Sequence, residues 1–302
     1  MATIGLVGCG NWGALILRDL RHLGCDVVVV DPDAGASERA TEGGATPVTS
    51  MDALPKVDGI IVATPAETHA KVIHAVLGRN VPVFVEKPMT TSVADAALIC
   101  EAARDRVFVM DKWRYHAGIR ELGRIVRTRE LGAVVGLRTV RLGWGRSHSV
   151  DSIWALVPHD LSIGLEVIGS VLPARAAVAE HLNGQVTGLA GICGTSPWHV
   201  LEVSSRARET RRAARLICEG GVAELPEADA SHLLISRANR DDEAEVPQPE
   251  QRPISGQMPL LAELESFVGH LRGGPAPKSS ATEGASIVSV VADLRRIAGL
   301  RD

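Results

Sequence analysis

The sequence predicts two domains of different class: an α/β domain on a doubly wound parallel sheet over residues 1–112, then an α+β domain with a mostly antiparallel open sheet over 113–302. Three observations carry this. Through the first third, short apolar runs alternate with amphipathic helical patterns, which implies βαβ units with right-handed crossovers. After about Lys112, strand-like runs follow one another instead. A chain of 302 residues, 45% hydrophobic and 23% charged, can bury two cores.

In the first domain, runs rich in β-branched residues predict strands at 3–7, 26–30, 58–63, 81–85 and 107–110. Amphipathic stretches at 12–23, 67–79 and 92–106 supply the crossover helices. In the second, helices are expected at 117–130 and near 153–168, with a strand at 133–142 between them. Strand-like runs then follow at 174–181, 186–193, 199–205, 213–219 and 232–236. The basic run "RARETRRAAR" (206–215) is read as a solvated hairpin, with an anion-binding edge as the minority reading. The acidic, proline-rich 241–253 reads as a surface loop, and helices at 260–272 and 282–298 close the chain.

Composition excludes several function classes. A net charge of -4 with 3% aromatic residues argues against a general nucleic-acid surface. No segment approaches the roughly 20 apolar residues that span a bilayer, so no membrane partner is expected. Met1 leads straight into "TIGLVGCG" without the pattern of a secretory signal, which predicts cytoplasmic residence. The five cysteines are scattered singly, without disulfide or metal spacing. His69 and His74 are five residues apart and do not share a helix face, so no metal site is expected.

"VGCGNWG" places Gly8, Gly10 and Gly13 in GxGxxG spacing between the first strand and first helix, the arrangement of a Rossmann dinucleotide site. Gly8 permits a tight turn, Gly10 admits a pyrophosphate, and Gly13 lets helix and strand pack closely. The helix start, with Asn11 and Trp12, offers free N–H groups to the phosphates. Asp31, eighteen residues beyond Gly13, follows the second strand, where a carboxylate accepts ribose hydroxyls and repels a 2′-phosphate. No Arg or Lys occurs from Asp31 to Glu38, so NAD is expected over NADP. Thr64 and Pro65 form a turn after the third strand beside the cofactor, and Glu67 opens the next helix, which carries His69. Glu86 and Lys87 of "VPVFVEKPMT" lie at the C-terminal end of another buried strand, where open α/β sheets bind ligands. These residues form the expected cofactor side.

On the other side, 141–169 combines Trp144 and Trp154 with Arg146, His148, Asp151, His159 and Asp160. Rings that stack on sugar faces beside polar tips that fix hydroxyls suit a polyhydroxylated ligand, although any one of these residues alone serves equally as core or cap. The pieces in order, "GLVGCGNWG", "ATPAETH", "EKP", "WRYHAGIRELGRIVRTRELGAV" and "WALVPHDLSI", resemble the Gfo/Idh/MocA oxidoreductases over nearly the whole chain. "DSIWALVPHD" is most similar to the branch acting on nucleotide-linked sugars.

The resemblance implies an NAD-dependent dehydrogenase or reductase acting on a sugar, nucleotide sugar or related polyol. It implies Lys87 and His159 as the catalytic pair, and a homodimer or homotetramer joined through the open face of the second sheet. Arg114, Trp144, Arg146, Asp151 and Trp154 are expected with Lys87 and His159 on the substrate side. One departure stands out: many relatives place an Asp four residues before the histidine, and here that residue is Ala155. The alternative is an NAD-binding regulator or scaffold of reduced catalytic power.

Overall fold

A strand covered on both faces needs apolar side chains at every position, and β1 (Thr3–Val7), β2 (Asp26–Val30), β4 (Gly59–Val62), β5 (Val83–Glu86) and β6 (Val107–Met110) meet that demand almost without exception. In the computed structural model, which describes residues 1–145, 150–238 and 248–300, they join β3 (Thr46–Val48) in a parallel sheet of order β3-β2-β1-β4-β5-β6. Helices α1 (Asn11–His22), α2 (Ala34–Glu42), α3 (His69–Val76) and α4 (Val93–Ala103) make the crossovers. Strand order reverses between β1 and β4, and the crevice at their C-terminal ends is the ligand position of this architecture.

The second sheet runs β14-β13-β12-β11-β7-β10-β9-β8. Its strands are β7 (Val134–Trp144), β8 (Ala174–Leu182), β9 (Gln185–Gly194), β10 (Trp198–Ser204), β11 (Arg206–Cys218), β12 (Gly221–Leu225), β13 (His232–Arg237) and β14 (Glu250–Pro253). Among the described residues of this sheet only β7 and β10 pair in parallel; the other pairings are antiparallel. One sheet face is covered by α5 (Ala117–Arg127) and α6 (Ser152–Ile168), whose Ile119, Leu122, Ile125, Ile163 and Val167 share a core with Leu137, Leu216 and Ile235.

Three expectations change. The run 206–215 is no hairpin but the first part of β11, pairing along β7 with an irregularity between Arg206 and Arg211. Its exposed half extends past β12, which pairs only from Ala214 onward, so arginines there need no apolar cover. Part of the expected loop 241–253 is the edge strand β14, where one ladder suffices and Pro253 is tolerated; residues 241–247 lie outside the described residues. Finally, α7 (Pro259–Leu271) and the start of α8 (Ala281–Ile297) do not belong with the second domain. The chain forms one compact unit from Met1–Lys112 with Met258–Val288, and another from Trp113–Gln257 with Ser289–Asp302. The reason is packing: Leu260, Leu264 and Phe267 of α7 fill the core around β1 and β5, and Phe267 stacks on Phe84 with ring centroids 4.9 Å apart.

Candidate active site

Within the first unit the glycine loop has the geometry of a phosphate cradle. Gly8 has φ +95°, and a Cβ there would stand 2.7 Å from the Ala63 carbonyl oxygen. A Cβ on Gly13 would stand 2.3 Å from the Gly8 carbonyl oxygen, whereas one on Gly10 would meet nothing within 4 Å. The first and third glycines therefore close the loop on the sheet, and the second leaves open space. No side chain caps α1 and its first turn holds no acid, so its N-terminal N–H groups and positive dipole end stay available to an anion.

Asp31 is oriented by backbone: Oδ2 accepts from Cys9 N at 2.8 Å and Oδ1 from Asp33 N at 3.0 Å, with lone pairs left for ribose hydroxyls. Sequence reading missed Arg39. Its Nε donates to the Cys9 carbonyl at 3.0 Å while the half-exposed guanidinium lies 3.8 Å from Asp33, so one helix turn carries a cation back beside the acid. An arginine directly after Glu38 was the available signal. Thr64 is linked to Thr68 through their hydroxyls at 2.7 Å, and Pro65 is exposed. His69 stands apart from the other cofactor-side residues. It is 1% exposed, with Nδ1 at 2.8 Å from the Pro88 carbonyl and Nε2 at 2.9 Å from that of Thr64. Burial pushes this imidazole below its ordinary range although both carbonyls favour the charged form, and the ring braces two loops from within.

At the end of β5, Glu86 is 9% exposed and accepts from the Trp12 indole N–H and, at 3.2 Å, from the Lys87 backbone N–H. Burial raises its carboxyl against the opposing pull of Lys87, Trp12 and Lys112. Lys112 places its ammonium 4.5 Å from the Trp12 ring centroid. Trp12 is thus a bridge between loop and strand end, and Lys87, half-buried, precedes a cis peptide to Pro88.

In the second unit α6 carries the candidate chemistry. Asp151 is its N-cap, accepting from Ile153 N at 3.0 Å and Trp154 N at 3.1 Å, and its other oxygen pairs with Arg295. Arg295 also lies 5.8 Å from the buried Trp154 ring. Arg114 is 8% exposed and paired with Glu166 at 3.4 Å. Asp151 and Arg114, expected on the substrate side, thus each carry an ion pair within this unit, and Trp154, expected there too, is buried. Trp144 is 70% exposed at the end of β7, with the Arg206 guanidinium 5.5 Å from its ring; Arg146 and His148 lie outside the described residues.

His159 is half-buried on α6, one turn beyond the buried Ala155. Asp160 cannot stand in for a carboxylate at 155: it is fully buried and held by Arg141 Nε at 2.7 Å, and Arg141 in turn sits 4.6 Å from the Trp113 ring. A second histidine, His199, had no sequence signal. It is 2% exposed, 3.0 Å from the Thr139 hydroxyl, and burial pulls it down to about 4. Among the described residues no cluster of His, Cys, Asp or Glu could hold a metal.

Residues 2–110 match the model of the GFO_IDH_MocA oxidoreductase family, NAD-binding Rossmann fold. Through this domain the chain is similar to the Gfo/Idh/MocA family. The glycine cradle, uncapped helix and anchored Asp31 fit the NAD that defines it. An inositol 2-dehydrogenase from Renibacterium salmoninarum is 30% identical over 146 residues, covering 45% of this chain and 44% of that protein. A UDP-N-acetylglucosamine 3-dehydrogenase from Acidithiobacillus ferrooxidans is 30% identical over 195 residues, 62% of this chain and 58% of the relative. The chain thus aligns with less than half the length of the inositol dehydrogenase. A solved structure of the Acidithiobacillus enzyme shares the fold with a TM-score of 0.84 at 21% identity, covering 98% of this chain and 97% of that one. A levoglucosan dehydrogenase solved with NADH and levoglucosan gives 0.85 at 15%, covering 99% and 97%. Among the described residues no helix is long and apolar enough to cross a membrane.

Proposed function

We propose that the chain is an NAD-dependent dehydrogenase or reductase moving a hydride to or from a carbinol carbon of a sugar or polyol, with a nucleotide-linked sugar as the favoured substrate. The observation that carries this reading is the dinucleotide cradle of α1 and Asp31, joined through the Trp12–Glu86 bond to the lysine-bearing end of β5. The similarity to a UDP-N-acetylglucosamine dehydrogenase and to inositol dehydrogenases supports the substrate class.

Bound NAD supplies the hydride acceptor. Asp31 holds the adenosine ribose, and the free N–H groups of α1 hold the pyrophosphate. Lys87 stabilises the negative charge that grows on the reacting oxygen, and His159, as a neutral imidazole, takes the hydroxyl proton. In reduction the same groups act in reverse. Purified protein assayed against a panel of sugars and nucleotide sugars tests this. Lys87→Ala and His159→Asn are each expected to lower kcat by ~10²-fold or more, the double variant losing less than the product because the two act together. NADH affinity should survive the His159 change. Near-parental turnover by His159→Asn would remove it as the base.

Ala155 favours a second reading. Asp160 is committed to Arg141, and a position 155 without a carboxylate suits a cofactor-binding regulator. NADH binding without turnover on any sugar would select it.

A further inference from the structure

The most unusual side chain in the first unit is one that the reaction described above does not use. Glu263 lies on α7 with 0% exposure, and neither of its carboxyl oxygens has a hydrogen-bond partner. A helix face that reads Leu260, Leu264, Phe267 is built for a hydrocarbon core, and an acid inside it demands a reason.

Register supplies one. Phe267 stacks on Phe84, and Glu263 precedes Phe267 by four residues on the same helix face. Glu86 follows Phe84 by two residues on the same face of β5. One turn of helix and two residues of strand are nearly the same length, ~5.4 Å and ~6.6 Å, and Leu271 lies against Gly59 at the start of β4, so α7 runs opposite to the strands and this register carries both acids toward the strand end that bears Lys87. The charges that reach Glu263 are those of Glu86, Asp111 and Lys112. From α1, which also packs on α7, comes Asp19, already closed on Arg18 at 2.7 Å.

We propose that Glu263 is a positioning residue for this end of β5: its carboxyl shares one proton with Glu86, and the joined pair holds Glu86 against the Trp12 indole and the Lys87 backbone. Two ionised carboxylates cannot face each other in a wall without water, whereas one proton between them turns repulsion into a hydrogen bond. Burial pushes Glu263 well above the ordinary carboxylate range, with Glu86 and Asp111 adding to the rise and Lys112 opposing it. The pair's remaining negative charge faces Lys87 and, beyond it, Lys112. Loss of the shared proton at alkaline pH would force the acids apart, and Lys87 would lose its setting while the fold persisted. The inference rests on reading Lys87 as the residue that contacts the reacting oxygen.

The test compares the full-length protein with Glu263→Gln, which keeps a donor that does not titrate, and Glu263→Leu, which has none. Without cofactor at neutral pH, the infrared spectrum of the parent should show the carbonyl band of a protonated carboxylic acid, and Glu263→Gln should lack it. With substrate, Glu263→Leu should lose on the order of 10- to 10²-fold in kcat at little change in sugar KM. Glu263→Gln should stay near the parent at neutral pH and retain activity further into alkaline pH. Absence of the band in the parent overturns the proposal. So does an alkaline limb in Glu263→Gln identical to the parent's, which decides the matter even where the leucine variant fails to fold. Lys87→Ala run alongside separates the two readings: unchanged turnover there sinks the role of Lys87, while the infrared band still judges the shared proton.

Discussion

Asp31 and Arg39 put opposite charges beside the same loop, and cofactor preference is the balance between them. The anchored carboxylate repels a 2′-phosphate, so NADH is expected to bind more tightly than NADPH. Asp31→Ala should narrow the gap by removing that repulsion and exposing the phosphate to Arg39, and adding Arg39→Ala should reopen it. Equal affinities in the parent, read by fluorescence titration, would refute the role of Asp31. A second single-residue effect concerns pH. His199 takes up a proton near 6.5 in the unfolded chain but only near 4 in the folded sheet. Protons therefore favour the unfolded state between those values, and the stability His199 confers is lost as pH falls through that window. Denaturant midpoints should drop with acid across it, and His199→Gln should flatten that drop. Glu263 has the opposite sign: its carboxyl is raised, so its penalty grows as pH climbs above the ordinary carboxylate range.

Elements legible in the sequence were those whose burial is written in one run of side chains. β1, β2 and β6 carry unbroken apolar stretches and lie where such stretches predict. By contrast α2, "AGASERATE", buries only Ala36 and Ala40, so its period is too faint to read, and β3 is three residues with a proline. β11 was misread because its arginines look like a turn, whereas their exposure depends on how far β12 extends. The glycine loop and Asp31 were legible because backbone approach and charge repulsion are local demands. Arg114 and Asp151 looked like ligands because a charge beside tryptophans suits a binding surface equally well. Only tertiary structure reveals their ion pairs with Glu166 and Arg295. The packing of α6 on the sheet has its own test. A Cβ at Gly164 would stand 2.8 Å from His199 Nδ1 on β10, so Gly164→Ala should cost about 1–3 kcal/mol as helix and ring are driven apart. An unchanged melting temperature would show that the ring simply rotates away.

For the whole molecule, the open face of the second sheet is the feature left over after the cores are assigned. Ala176, Ile192 and Val200 line up across β8, β9 and β10, followed by Arg138 and Arg215 on β7 and β11. Val178 is 73% and Ile192 42% exposed. This is the face through which the family resemblance expects a second copy of the chain to pair. Sedimentation should show a dimer or larger species that Val178→Glu with Ile192→Glu dissociates, and a monomeric parent would end the idea. The return of Met258–Val288 to the first unit bears on how the protein is made. A ribosome that has released residues 1–112 has delivered every strand of the parallel sheet and none of the helix that covers Phe84. The nascent sheet must therefore wait, the apolar surface around Phe84 beside α1 and α2 only partly covered, while some 150 further residues are translated, and shielding by a chaperone is most needed in that interval.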